Sequence, residues 1–252
     1  MTTRREILSQ GAAVAAAAAP LAAMARVVPA PQRGGEGGAF PYDYLFVEVP
    51  QRSGRLGGAA PFLAHLRSAG AAAIAVAGGD ILGYFTPLIG WSSEQLAVMI
   101  RWPEPSSPDR ERAVRILTQH PTVRKVERSV LAPTLRPAPM ERPKITGIYT
   151  HRWFDIRTPD LAEFIDLSGQ AWPDFEREFD AAIFGLFRAR STIEEGRRGV
   201  TRMLLNTQYA SHAVWEASRV PSSGAAGLFR RRSDLTLTTR VVSLHFTALG
   251  GG

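Results

Sequence analysis

The stretch "YTHRWFDI" (residues 149–156) lies without a gap over "YDYLFVEV" (residues 42–49), 107 positions earlier. Both open on Tyr and carry an aromatic fifth residue, Phe46 or Trp153. Both end on a carboxylate followed by a β-branched residue, Glu48-Val49 or Asp155-Ile156. Short runs rich in aromatic and β-branched residues read as strands. One strand written twice points to an internal duplication, which the rest of the chain can test.

The elements that follow repeat in the same order. Each first strand precedes a helical segment, "GGAAPFLAHLRSAGAAA" in one half and "TPDLAEFIDLSGQAWPDFEREF" in the other. In the second segment Thr158 is the expected cap, Pro159 the first helical residue, and Leu161, Phe164, Ile165 and Leu167 an apolar stripe. "ILGYF" (residues 81–85) then answers "IFGLF" (residues 183–187), with Ile, Gly and Phe in the same places. Third strands follow, "EQLAVMIRW" and "TRMLLNTQYA". Next come helices capped by Ser107 and Ser211, and alternating closing strands, "VRKVERSVLA" and "TLTTRVVSLHFTAL". The Pro-rich stretch at residues 132–144 separates the halves as a semi-rigid connector. The expected organisation is a first repeat over residues 41–131 and a second over 145–249.

Each half therefore reads β-α-β-β-α-β, an α+β ferredoxin-like unit with both helices on one sheet face. The other face is apolar and needs cover, and a tandem copy supplies it, sheet against sheet. In element order, in the Tyr-led first strand and in the hydrophobic-Gly-hydrophobic second strand, residues 40–249 resemble the dimeric α/β-barrel superfamily in fused form. More narrowly, they resemble NIPSNAP-type domains. The superfamily also holds cofactor-free quinol monooxygenases, chlorite dismutases and dye-decolourising peroxidases. The resemblance implies a ligand between the sheets and their flanking helices or loops; it carries no catalytic signature.

The N-terminus reads differently from the repeats. Arg4 and Arg5, the Ala-rich run behind them and Ala23-Met24-Ala25 form the three parts of an export signal over residues 1–25, and the Arg pair resembles a twin-arginine (Tat) leader. Residues 26–40 then form a Gly- and Pro-rich lead. The expected destination is the periplasm or the exterior, with the Tat translocase as transient partner and no membrane anchor after cleavage. There are no cysteines, which excludes disulfides and a lipoprotein anchor. The net charge of +7 could suggest nucleic acid. An exported protein meets little of it, and Arg230-Arg231-Arg232 reads better as a solvated helix face. No G-x-x-x-x-G-K, H-E-x-x-H, G-x-S-x-G or G-x-G-x-x-G pattern is present, so P-loop, zincin, hydrolase-elbow and dinucleotide folds are unsupported.

Strand alternation selects candidate site residues. With Phe154 and Ile156 under the helices, Tyr149, His151, Trp153 and Asp155 face the barrel. In the first half Leu45, Val47 and Val49 go under the helices, and Tyr44, Phe46 and Glu48 face in. His151 is either a general base, an axial haem ligand or a buried, hydrogen-bonded histidine. Asp155 is the second catalytic candidate. His245, on the closing strand, is expected near His151, and two imidazoles without a third ligand make no metal site. Arg202, Asn206 and Gln208 alternate along the third strand, either as a polar stripe in the barrel or as a solvent-facing edge. Trp172 and Trp215 read as helix core. Three functions fit: a barrel binding a small apolar or aromatic molecule without cofactor, a cofactor-independent monooxygenase acting on phenols or quinols through His151 or Asp155, and a haem protein. The first requires least. A fused pair of sheets removes the need for a homodimer without forbidding one.

Overall fold

The computed structural model describes residues 40–50, 58–103, 108–222 and 224–249. The expected export signal (1–25), the lead except Phe40, and the cap at Ser107 lie outside them.

Among the described residues eight strands form: β1 Tyr42–Glu48, β2 Asp80–Ile89, β3 Gln95–Arg101, β4 Lys125–Pro133, β5 Ile148–Arg157, β6 Ala181–Ala189, β7 Val200–Tyr209 and β8 Thr236–Ala248. They close into an antiparallel barrel in the order β1-β3-β2-β8-β5-β7-β6-β4, with β4 returning to β1. Each half keeps its own four-stranded ferredoxin-like sheet, and the two sheets are sealed edge to edge by β2–β8 and β4–β6. Tyr42 pairs with Arg101 and Tyr149 with Gln208, so the separation of 107 that relates β1 to β5 also relates β3 to β7.

Alternation along the strands sorts side chains into three cores. Tyr42, Tyr44, Phe85, Met99, Tyr149, Phe187, Leu204 and Phe246 fill the barrel. Leu45, Val47, Val49, Phe62, Leu66, Ile74 and Trp102 pack under the helices of the first half. Phe154, Ile156, Phe164, Trp172, Phe175 and Met203 pack under those of the second. The matched glycines of the repeat lie at equivalent β-bulges, where register shifts between Ile81 and Gly83 and between Ile183 and Gly185. A Cβ at Gly83 would lie 2.3 Å from the Thr247 carbonyl oxygen, and one at Gly185 2.6 Å from the Phe187 ring. The repeat keeps Gly because neither bulge has room for a side chain.

In the first half, α1 Ala60–His65 runs through a π turn, Leu66–Gly70, into α2 Ala71–Val76, and α3 Asp109–Thr118 follows. The second half has α4 Leu161–Glu178, the short α5 Ile193–Arg197, α6 His212–Ala217 and α7 Ala225–Asp234. Ser211 caps α6, accepting from the Val214 amide at 3.3 Å. Thr158 is not the cap of α4. It opens a 3-10 turn, and its hydroxyl meets that of Thr201 at 3.0 Å. The repeat calls for one helix between β7 and β8, the one capped by Ser211; the structure adds α7, which carries the three consecutive arginines.

The connector is tied to both halves. Arg136 donates to Glu176 at 2.7 Å and lies over the Trp172 ring, Arg142 reaches Asp80 at 2.5 Å, and the Tyr149 hydroxyl donates to the Lys144 carbonyl at 2.8 Å. A second polar node lies under the helices of the first half. Asp43, fully buried, accepts from Arg110 Nη2 at 2.9 Å, Arg128 Nε at 2.7 Å and Trp102 Nε1 at 2.8 Å. Breaking such a node from one side leaves an unpaired buried charge, which costs about 3–5 kcal/mol.

Candidate functional site

The residues expected on the barrel face divide into a buried group and a rim group. Tyr44, Tyr149, His151 and Asn206 are buried in the barrel. The Tyr44 hydroxyl lies 2.8 Å from His151 Nδ1, and the imidazole is wedged edge-on between Tyr44 and Phe85, at ring-centroid distances of 5.4 and 4.3 Å. Burial lowers the His151 pKa to about 3 and raises that of Tyr44 well above 10, so the pair is neutral. The phenol therefore donates to Nδ1, and the imidazole proton sits on Nε2. That Nε2, and both polar atoms of Asn206, which faces His151 across the β5–β7 ladder, have no partner. Gln208, by contrast, donates to the Thr146 carbonyl at 3.1 Å.

The rim group is held by its own contacts. Trp153 packs on Tyr44 at 5.5 Å, with the Arg202 guanidinium 5.1 Å from its ring. Arg202 also donates to Ser129 Oγ at 3.3 Å. Phe46 packs against Trp91 at 5.0 Å, Glu48 is half-buried, and Asp155 accepts from the Thr238 hydroxyl at 2.7 Å. His245 does not join His151. Leu244 and Phe246 take the inward positions of β8, which turns His245 out to solvent.

The open cleft lies on the other side of the sheet, not between the two sheets. It has a volume of about 390 Å³ and sits between the outer face of the second half and helices α4, α6 and α7. β5 contributes Thr150, Arg152 and Phe154 to its floor, and β7 contributes Leu205, Thr207 and Tyr209. Trp172 and Phe175 line it from α4, Trp215 from α6, and Phe229, Arg230 and Arg232 from α7. The two tryptophans read as core from the sequence are thus also cleft wall. Arg232 departs from the solvated-helix reading. Its neighbour Arg231 points out and pairs with Glu163 at 2.9 Å, whereas Arg232 turns under the helix, 4.7 Å from the Phe229 ring centroid and 5.3 Å from that of Phe154.

Electrostatically the cleft is one-sided. Arg152, Arg219, Arg230 and Arg232 line it, and among the described lining residues there is no Asp, Glu or His. Burial, then the Arg152 charge, pulls the Arg232 pKa down to about 10. Burial lowers that of Arg152 as well, with Arg219 adding to the effect. Tyr209 is buried at the cleft floor with its pKa raised by desolvation, an effect opposed by hydrogen bonding to Ser218 and by the Arg152 charge. It can donate a hydrogen bond and cannot act as a base near neutral pH. An axial imidazole for haem is not offered here: His151 is walled inside the barrel and His245 lies on the outer surface, so these residues do not fit that cofactor and no chemistry is routed through it.

No family model matches the chain. No curated protein matches it either. Solved structures do. An anthrone oxidase-like protein aligns over 82% of this chain and 91% of its own at 11% identity, with a TM-score of 0.57. A candidate monooxygenase from Lactobacillus acidophilus NCFM covers 84% and 96% at 9% identity, with a TM-score of 0.50. A candidate chlorite dismutase covers 82% and 95% at 8% identity and a TM-score of 0.50. Likeness at this identity fixes architecture and not activity. The chain has the ferredoxin-like α/β-barrel fold, with both halves written in one polypeptide.

Proposed function

We propose that this protein is a ligand-binding α/β barrel that takes a small aromatic molecule into the cleft beneath α4, α6 and α7. The observation that carries the reading is the lining: six aromatic side chains, Phe154, Trp172, Phe175, Tyr209, Trp215 and Phe229, around about 390 Å³. Small-molecule sites typically span about 300–1,000 Å³, with apolar walls and a few convergent polar groups. Titration of the purified chain with anthrone and 2-naphthalenemethanol, followed by tryptophan fluorescence, tests it. Saturable binding that weakens about three- to tenfold in Trp215→Ala is expected. Binding that is absent, or indifferent to that change, overturns the reading.

A catalytic form of this reading is supported by the likeness to an anthrone oxidase-like protein. In it an anthrone loses its C10 proton, the carbanion passes an electron to dioxygen, the radical and superoxide combine in a C10–O bond, the peroxide anion takes up a proton, and the C10 hydroperoxide eliminates water. One anthrone and one O2 give one anthraquinone and one H2O. The lining supplies no base, so water takes the proton, while Arg152 and Arg232 stabilise the enolate oxygen. Oxygen uptake with anthrone is then expected to fall at least about tenfold in Arg152→Gln. His151→Ala and Asp155→Asn should leave it unchanged, since neither lines the cleft; a loss in those two variants alone would return catalysis to the barrel interior.

The proposal extends to kinship and place. Membership of the NIPSNAP-type group is supported by the Tyr-led strand and the bulge glycine. Export by the Tat route is supported by Arg4-Arg5 and the A-x-A site. Replacing both arginines by lysine should retain a reporter fusion in the cytoplasm, and undiminished export would refute that route.

A further inference from the structure

Resting on the aromatic reading of the cleft, we infer that its ligand carries a permanently anionic group, a carboxylate, seated against Arg152 and Arg232 at the place where the first half holds the carboxylate of its own Asp43.

The duplication provides the control. Thr150 stands 107 positions from Asp43, Arg152 from Leu45 and Tyr209 from Trp102, and strand register places each pair at the same point of its sheet. In the first half Asp43 is fully buried and gathers two guanidinium groups and an indole N–H around one carboxylate, and Arg128 also meets Glu111 at 2.7 Å. In the second half the carboxylate is gone and Thr150 lines the cleft in its place. The leucine has become Arg152, and α7 brings in Arg232. Arg152 meets no carboxylate and no hydrogen-bond acceptor among the described residues; Arg232 has only the Ser168 hydroxyl, at 3.3 Å. Nearby acids are engaged elsewhere: Glu163 with Arg231, Glu176 with Arg136, Asp174 with Arg177. Two half-buried guanidinium groups facing one another without an anion are a costly arrangement in the free protein. An arriving carboxylate matches their planar donors and removes the repulsion. The second half has lost the anion and gained two cations of its own, which leaves the ligand to supply the countercharge.

Calorimetry on the purified full-length chain at pH 7 with 2-naphthoate, 2-naphthalenemethanol and 2-naphthol tests this. Naphthoate should bind at least about tenfold tighter than the alcohol, and Arg152→Gln and Arg232→Gln should each remove most of that difference while leaving the alcohol's affinity in place. Arg231→Gln, on the outward position of the same helix, should change nothing. Without ligand, Arg152→Gln should melt no lower than the parent, because it removes an uncompensated charge; a drop would mean that Arg152 holds structure instead. Equal affinity for acid and alcohol leaves the aromatic cleft standing and overturns the carboxylate. Naphthol captured as naphtholate, seen by its red-shifted absorbance, and more tightly than naphthoate, also overturns it in favour of an anion formed in the cleft. Binding of none of the three overturns the aromatic reading and this inference together.

Discussion

At the residue scale the barrel interior and the cleft use opposite devices for polar groups. His151 is buried and neutral, its pKa held near 3 against an ordinary value of 6.5, so between those limits the unfolded chain binds a proton that the folded chain refuses. This contribution is complete above pH 6.5 and is lost as pH falls towards 3, at about 1.4 kcal/mol per pH unit. Denaturation midpoints of the parent and His151→Gln, compared from pH 7 to 4.5, should diverge by roughly 2–3 kcal/mol in that sense. Parallel curves would show that the imidazole reaches water. The phase of β1 and β5 was legible because their alternation is clean. The outward turn of His245 was legible too, since Leu244 and Phe246 occupy the inward positions of β8; proximity in pairing was mistaken for proximity of side chains. Arg152 and Arg232 gave no such signal. An arginine at an outward strand position reads as solvated until something is known to cover it.

At the scale of elements the bulges and α7 decide the geometry. The glycine of "ILGYF" and "IFGLF" announced the duplication but not its reason, which is a β-bulge pressed against a neighbouring strand or ring. The two sites differ: at Gly83, where φ is +157°, an added methyl meets the fixed Thr247 carbonyl, whereas at Gly185 it meets only side-chain atoms, the Phe187 ring and Pro137 Cδ. Gly83→Ala should therefore cost more, about 2–3 kcal/mol against about 1 for Gly185→Ala, measured by urea unfolding; the reverse order would contradict the bulge account. The inward turn of Arg232 was not legible because "GLFRRRSD" has a narrow apolar stripe and three adjacent cations. In an isolated helix all three would face water, and only its docking beside α4 turns the third one inward.

At the scale of the whole molecule the two seams replace an interface between subunits. Every sheet edge is used in β2–β8 and β4–β6. A chain cut to residues 132–249 exposes two edges and one apolar sheet face, so it should migrate as a dimer in size-exclusion chromatography; a stable monomer would mean that the seams contribute little. The global architecture was legible because repetition is a property of the text itself. The location of the cleft was not, because it depends on how far three helices stand off a sheet.

The duplication of one unit within a single chain has a further consequence. In an assembly of two identical chains, a substitution that opens one cavity opens its mate, and both pay in lost packing. Joining the copies in one polypeptide ends that enforced equality. Leu45 and Asp43 can remain a sealed, self-neutralised floor while Arg152 and Thr150 drift apart from them. One lobe then becomes ballast for the other, free of the chemistry proposed for its mate.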